Sequence, residues 1–380
     1  MEKLSRRRFL EIASAATFAA FTAPSFAASL IAAPGKQRVF IASGTPEGIL
    51  AFDWNPATAE LTAAGVAAQI PDVSWVTFSL DRRFLFCPSG VSVDGKQTGS
   101  VASFAVANGE LKPLSRQNSA GPGTCHVAID QTGRVLLAAD YGGGSAASFL
   151  VTDGKLSPAV WSEQYTIHGP NTDRQEKAHA HFAAFSPDNR FAYINDLGGD
   201  CIHIYKLNPA TAGLTAAGTY QSKAGAGPRT LHFHPNGHTA YSVNELDSTV
   251  DLLEWSKVAG GLRFVSQIDL LPAGYKGLTR ACDTVLSKDG KFAYFVNRDI
   301  NFLISYRVDF ATGKLTMIGR TPCGGKTPRN FGLDPTENWM LVANQDSSLI
   351  SIFRRNPVTG ALAEEGKNFT AATPMCILFV

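Results

Sequence analysis

The sequence is sparing with charge and lacks helical patterning and the short motifs that mark nucleotide or covalent-ester enzymes. Charged residues make up 17% of the 380 positions and apolar residues 44%, a balance that excludes a disordered chain. No apolar run reaches the roughly 18–20 residues needed to cross a bilayer, so stable membrane insertion is not expected. The six cysteines, Cys87, Cys125, Cys201, Cys282, Cys323 and Cys376, form no C-x-x-C pair, which argues against a zinc site and against a disulfide framework. A single disulfide formed after export stays open, with no pair favoured. Gly-x-Ser-x-Gly is missing, which disfavours acyl-enzyme chemistry. The run Gly142-Gly143-Gly144 has no helix after it to receive a phosphate. The lack of helical periodicity between strands disfavours an α/β barrel.

Charge is also lacking as a field. The chain carries a formal net charge of +2. Its first residues hold Lys3, Arg6, Arg7 and Arg8 against Glu2 and Glu11, so the remainder is close to neutral. Nucleic acid and anionic lipid are therefore not expected partners.

What is present begins with Ser5-Arg6-Arg7-Arg8-Phe9-Leu10, an Ala-rich stretch to about Ala23, and small residues around Ser25-Phe26-Ala27. This layout predicts a twin-arginine export signal over residues 1–27, a linker over 28–37 and a mature chain starting near Ala28. The protein is then periplasmic or secreted, and the twin-arginine export machinery is an expected partner.

From residue 38 onward one unit recurs: an apolar strand, a turn rich in Asp, Pro, Asn and Gly, and a second apolar strand ending in a polar loop. The copies read VTFSLDRRFLFCPSG from Val76, HVAIDQTGRVLLAADYG from His126 and FAAFSPDNRFAYINDLG from Phe182. They continue as LHFHPNGHTAYSVNELD from Leu231, TVLSKDGKFAYFVNRDI from Thr284 and FGLDPTENWMLVANQDS from Phe331. The equivalent positions Arg83, Arg134, Arg190, His238, Lys291 and Asn338 stand 51, 56, 48, 53 and 47 residues apart. A period near 50 with two hairpins per unit marks a four-stranded propeller blade. The turns supply the tight and left-handed conformations a hairpin needs. A seventh copy is split. Residues from Arg38 supply three strands, and the terminal MCILFV can supply the missing first one. The expected fold is all-β: a seven-bladed β-propeller of four-stranded antiparallel blades over 38–380. The C-terminal strand closes the ring beside Arg38–Ser43, so no open sheet edge remains.

In such a ring, residues beside the start of each first strand or after each second strand gather at one channel mouth. They are His126, His179, His181, Arg229, Asn244, Glu245, Asn297, Arg298, Arg329, Asn330, Asn344, Gln345 and Asp346. Converging titratable groups are costly to a purely structural protein. Plainer roles stand beside the functional ones. His126 is either a ligand contact or a blade-to-blade hydrogen bonder. Gly227-Pro228-Arg229 also suits a turn whose Arg braces a neighbour. His179 and His181 share one side of a strand, a spacing that suits a metal, but no third ligand is placed and no metal is expected. Gln345 and Asp346 also suit loop caps. His232 and His234 read as structural.

The segments GPGTCHVAIDQTGRVLLAADYGGGS, KAHAHFAAFSPDNRFAYINDLGGD, GAGPRTLHFHPNGHTAYSVNEL and TPRNFGLDPTENWMLVANQD recur in an order that resembles the lactonase family of seven-bladed propellers. This is the family of propeller-type 6-phosphogluconolactonases, related to the carboxy-muconate lactonising enzyme. The resemblance covers Arg38 to the C-terminus. It implies opening of a small-molecule lactone without a metal, or the reverse cyclisation; the expected protein is a monomeric lactonase that hydrolyses a sugar-acid lactone by metal-independent water addition and needs no cofactor. His181, Arg229, Glu245 and Arg298 match positions proposed as catalytic in the muconate-lactonising relative. His126, His179, Arg329, Asn344, Gln345 and Asp346 are then substrate-binding candidates. A guanidinium suits the oxyanion formed as water adds to a carbonyl, and an imidazole suits the water's proton. Two departures bear on the substrate. Thr230 stands where the family commonly has His after Gly-Pro-Arg, and Ala281-Cys282-Asp283-Thr284 differs from the usual arrangement. A non-enzymatic ligand-binding or scaffold propeller is the alternative, since fold does not dictate function.

Overall fold

A computed structural model describes residues 35–95 and 98–380. The expected export signal lies outside the described residues, as does most of the linker. Seven antiparallel sheets succeed one another along the chain. Blade 1 runs Thr77–Phe78, Phe84–Ser89, Ser100–Ala107 and Glu110–Asn118. Blade 2 runs Thr124–Ile129, Val135–Asp140 and Ser145–Thr152, with its outer strand split into Lys155–Leu156 and Trp161–Gln164. Blades 3 to 6 begin at Ala180–Phe185, Pro228–Phe233, Ala281–Leu286 and Pro328–Leu333. Each of these continues through three further strands, the last ending at Gln221, Asp269, Pro322 and Thr370.

Blade 7 is shared by the two ends of the chain. Pro374–Phe379 pairs antiparallel with Gln37–Ser43, with Val39 opposite Phe379 and Ile41 opposite Ile377. Ile49–Asn55 and Glu60–Ala68 complete the sheet. Closure gives blade 7 four strands like its neighbours and joins the two ends of the ring.

The hairpin turns follow from their sequences. Ser186 Oγ accepts the backbone N–H groups of Arg190 and Phe191, and Asp130 Oδ1 accepts those of Arg134 and Val135. Gly133, Gly237 and Gly290 take left-handed φ, and Arg82, Asn189 and Glu337 do so at the same turn position. A short polar side chain thus replaces the missing turn hydrogen bonds.

The core lies between blades rather than within one. Trp54 of blade 7 meets Trp339 of blade 6 edge to face, with ring centroids 5.9 Å apart. The fully buried Tyr193, Tyr241 and Tyr294 each donate a hydroxyl hydrogen bond to a glycine carbonyl of the next blade, at Gly260, Gly313 and Gly360. Burying these rings with their hydroxyls satisfied contributes apolar area without stranding a polar group. All six cysteines are free.

Candidate active site at the channel mouth

Two ring-wide devices place side chains at one end of the channel. The first is a β-bulge near the start of the inner strand in six of the seven blades. The register breaks at Cys125, His181, Arg229, Cys282–Asp283 and Arg329 in blades 2 to 6, and at Met375 in blade 7. A bulge adds one residue to a strand and re-aims it, and it does so here at equivalent places around the ring. The second is the residue that follows each second strand. Gly44, Gly90, Tyr141, Leu197, Glu245, Arg298 and Gln345 each donate a backbone N–H, at 2.8–3.2 Å, to a carbonyl of the loop entering the same blade. The residue just before each of them is Ser43, Ser89, Asp140, Asp196, Asn244, Asn297 or Asn344, and all seven are fully buried. The sequence therefore alternates a scaffold position and a mouth position at every blade.

These devices enclose a cavity of about 370 Å³, within the range of small-molecule sites. Its lining includes Ser74, Cys125, Tyr141, Arg174, His181, Glu245, Arg298 and Arg329. At its floor a narrower space of about 20 Å³ adds Trp75, His126, Phe182, Arg229, Thr230 and Asp283.

Glu245 is the centre of charge. It is 1% exposed, and its Oε1 lies 2.6 Å from Arg174 Nη2. Its Oε2 lies 2.9 Å from Arg229 Nε and 2.7 Å from Arg298 Nη2. Burial alone would raise the carboxyl pKa, but Arg298 and Arg229, aided by His181 and Arg174, hold it well below the usual carboxylate range. Arg229 Nη1 also donates to the Cys282 carbonyl. Among the described residues Arg329 has no carboxylate partner. Among the described residues its guanidinium makes one hydrogen bond, a long one of 3.4 Å, to Gln345 Oε1. Burial, then repulsion from Arg298 and Arg229, pushes its pKa down to about 10, so it stays charged at neutral pH. Four guanidinium groups thus gather around Glu245, three of them paired with it, with Asp283 buried at the floor and Asp72 at the exposed rim. An excess of recessed positive charge is stabilised by an anionic ligand.

His181 stands beside this cluster. Burial, then the charge of Arg229, lowers its pKa well below the ordinary value, so the ring is neutral and able to accept a proton. Its Nδ1 is buried without a partner. Tyr141 sets its orientation, meeting the His181 ring edge-on at 5.5 Å while stacking on His179 at 4.4 Å. The Tyr141 hydroxyl accepts from Arg174 Nη2 at 3.2 Å.

The remaining sequence candidates divide. His179 bonds the Tyr141 carbonyl and Glu176, which makes it a support for Tyr141. His126 lies one step down the channel between Trp75 and Phe182, and its Nδ1 accepts the Ala183 N–H from the next blade. Gln345 touches the site only through Arg329. Asn344 occupies a scaffold position, bonded to the Cys323 carbonyl and to Ser351 Oγ, and so stands behind the site. Asp346 accepts from Thr327 in the loop entering the same blade. Neither Asn344 nor Asp346 lines the cavity. The two unusual stretches reach the floor. Thr230 Oγ1 is buried without a partner, and Asp283 bonds His232 and Asn330. His234 is structural, bonding the Gly290 carbonyl.

Arg174 and Tyr141 escape a reading of the repeats. Arg174 sits in the connection between blades 2 and 3, where the repeat spacing of 56 residues is the longest of the five, the one hint of an insertion. Tyr141 is the blade 2 counterpart of Glu245.

Comparison with known proteins fits this arrangement. Residues 38–379 match the family model "Lactonase, 7-bladed beta-propeller". The chain is 31% identical over 340 residues to a 6-phosphogluconolactonase of Bacillus subtilis, spanning 89% of this chain and 95% of that one. It is 32% identical over 323 residues to a 6-phosphogluconolactonase of Formosa agariphila, spanning 83% and 90%. Among solved structures, the periplasmic gluconolactonase of Pseudomonas aeruginosa superposes with a TM-score of 0.85 at 30% identity, covering 91% of this chain and 99% of that one. The chain belongs to the lactonase family of seven-bladed β-propellers.

Proposed function

We propose that the protein is a lactonase that hydrolyses an anionic sugar-acid lactone by direct addition of water, without a metal ion. The observation that carries this reading is Arg329, a recessed guanidinium without a carboxylate partner in a cluster already rich in positive charge. In the reaction, water adds to the ring carbonyl and the carbonyl oxygen becomes an oxyanion. Arg298 and Arg229 stabilise that charge with N–H groups not used by Glu245. Neutral His181 takes the proton of the attacking water and returns it to the ring oxygen as the C–O bond breaks, giving a hydroxy acid. Glu245 holds the guanidinium groups in place. Arg329 binds the substrate's phosphate or carboxylate. Metal-assisted addition is disfavoured by the donor set: among the described residues His181 is the one imidazole lining this cavity, and its buried carboxylate, Glu245, is already occupied by three guanidinium groups.

The twin-arginine pattern at Arg6-Arg7 supports export to the periplasm, and the similar Pseudomonas protein is itself periplasmic. An exported enzyme meets a lactone outside the cytoplasm. The test is a panel of sugar-acid lactones, phosphorylated and not, followed by proton release with and without chelator. Hydrolysis above the buffer rate that survives chelation is expected. Failure on every lactone, or complete loss with chelator while the fold stays intact, contradicts the reading.

A further inference from the structure

Blade 3 carries a second chemical cluster, behind the mouth. Asp196 ends its second strand and lies directly opposite Cys201, the first residue of the third strand, Cys201–Asn208. His203 is two residues further on and so shares the face of Cys201. Asp196 and Cys201 are fully buried and His203 is 9% exposed. His203 Nε2 lies 3.5 Å from Cys201 Sγ and 3.6 Å from Asp196 Oδ2. One atom from each residue falls within 4.8 Å of the other two, and no other such trio of His, Cys, Asp and Glu occurs among the described residues.

Hydrogen bonding leaves this cluster unfinished. Asp196 Oδ1 accepts the N–H groups of His179 and Gly199, whereas Oδ2 is buried with no partner and faces the imidazole beyond hydrogen-bond reach. The neighbouring Asp200 cannot complete it, because its oxygens already accept from Gln175, Gly227 and Gly225. The His203 ring is fixed by stacking on Tyr165, with centroids 3.9 Å apart and planes 7° from parallel. Bonds of about 2.3 Å to sulfur and about 2.0–2.1 Å to nitrogen or oxygen set tetrahedral neighbours roughly 3.3–3.6 Å apart. The sulfur–nitrogen separation of 3.5 Å matches its edge, and the nitrogen–oxygen separation of 3.6 Å exceeds its own by about 0.2 Å.

We propose that Asp196, Cys201 and His203 form a binding site for a divalent cation of the zinc or cobalt class, with water as the fourth ligand. Binding displaces the thiol proton to solvent and forms the sulfur–metal bond. The carboxylate and thiolate then neutralise the cation's two charges. Thiolate, imidazole and carboxylate together select such an ion over magnesium or calcium. The site braces the His179 backbone behind Tyr141 and is independent of the lactonase reading.

Cobalt(II) added to the chelator-treated full-length protein tests the proposal. One equivalent is expected to raise a thiolate-to-cobalt charge-transfer band and release a proton. The band is expected to vanish in Cys201→Ser, and affinity to fall at least tenfold in Asp196→Asn and His203→Asn. Zinc is expected to raise the thermal midpoint of the wild type but not of Cys201→Ser. Absence of the band in the wild type overturns the site, as does an equal band in Cys201→Ser. If Cys201→Ser does not fold, His203→Asn decides: it keeps the thiol, and unchanged cobalt affinity overturns the proposal.

Discussion

Blades 4 and 7 use one backbone design for different ends. In blade 4 the bulge residue is Arg229 and the residue after the second strand is Glu245. In blade 7 the same two places hold Met375 and Gly44. The bulge, the buried polar residue and the backbone hydrogen bond recur in both, so geometry does not separate them. Only the side chains do. Charge is gathered on the side of blades 4 to 6, with Arg174 reaching across from the connection before blade 3, while Met375 and Ser74 face it from blades 7 and 1. The propeller supplies equivalent positions, and the chemistry resides in which of them carry charge.

That contrast can be broken from either side. Removing residues 375–380 takes out the inner strand of blade 7 and reopens the ring. A loss of several kcal/mol is expected, enough to abolish a cooperative thermal transition. Glu245→Ala leaves three guanidinium groups without their buried carboxylate. It is expected to cost about 3–5 kcal/mol in urea unfolding and to abolish turnover. His181→Ala and Arg229→Ala are expected to lower turnover about 10²–10⁴-fold with the fold retained by circular dichroism, the scale for losing a base or an oxyanion donor. On the opposite side, Met375→Ala is expected to change turnover by less than about tenfold, because it removes contact area but no charge.

Titration sharpens the comparison. His126 and His181 both have pKa values lowered by burial, so the fold favours their neutral forms. The unfolded chain takes up these protons from about pH 6.5 downward. Their contribution to stability is therefore complete above about pH 6.5 and is lost as pH falls toward their folded values. Urea unfolding between pH 8 and 5 is expected to show this decline, and His126→Phe to flatten part of it. Turnover is expected to stay level through pH 6.5, because His181 remains neutral there.

The repeat made the fold legible. Turn chemistry every 47–56 residues gave the blades, and the terminal MCILFV gave the closure, since a propeller lacking one inner strand needs a donor. The site was only partly legible. Strand alternation assigns side chains to faces by twos, but the bulges at His181, Arg229 and Arg329 break that count where it matters. Asn344 and Gln345 look alike in sequence, yet one is scaffold and the other faces the mouth. Arg174 lies outside any repeat, and only three-dimensional closure brings it to a carboxylate 71 residues away.

The most direct test is the ratio of kcat/KM for a lactone bearing phosphate or carboxylate to that for its neutral counterpart, in the wild type and in Arg329→Gln. The anionic lactone is expected to be preferred by the wild type at least tenfold, the scale of one charge-assisted contact. Arg329→Gln is expected to erase the preference while hydrolysis of the neutral lactone persists. An equal ratio in both proteins, or a wild type that hydrolyses neither lactone above the buffer rate, contradicts the account.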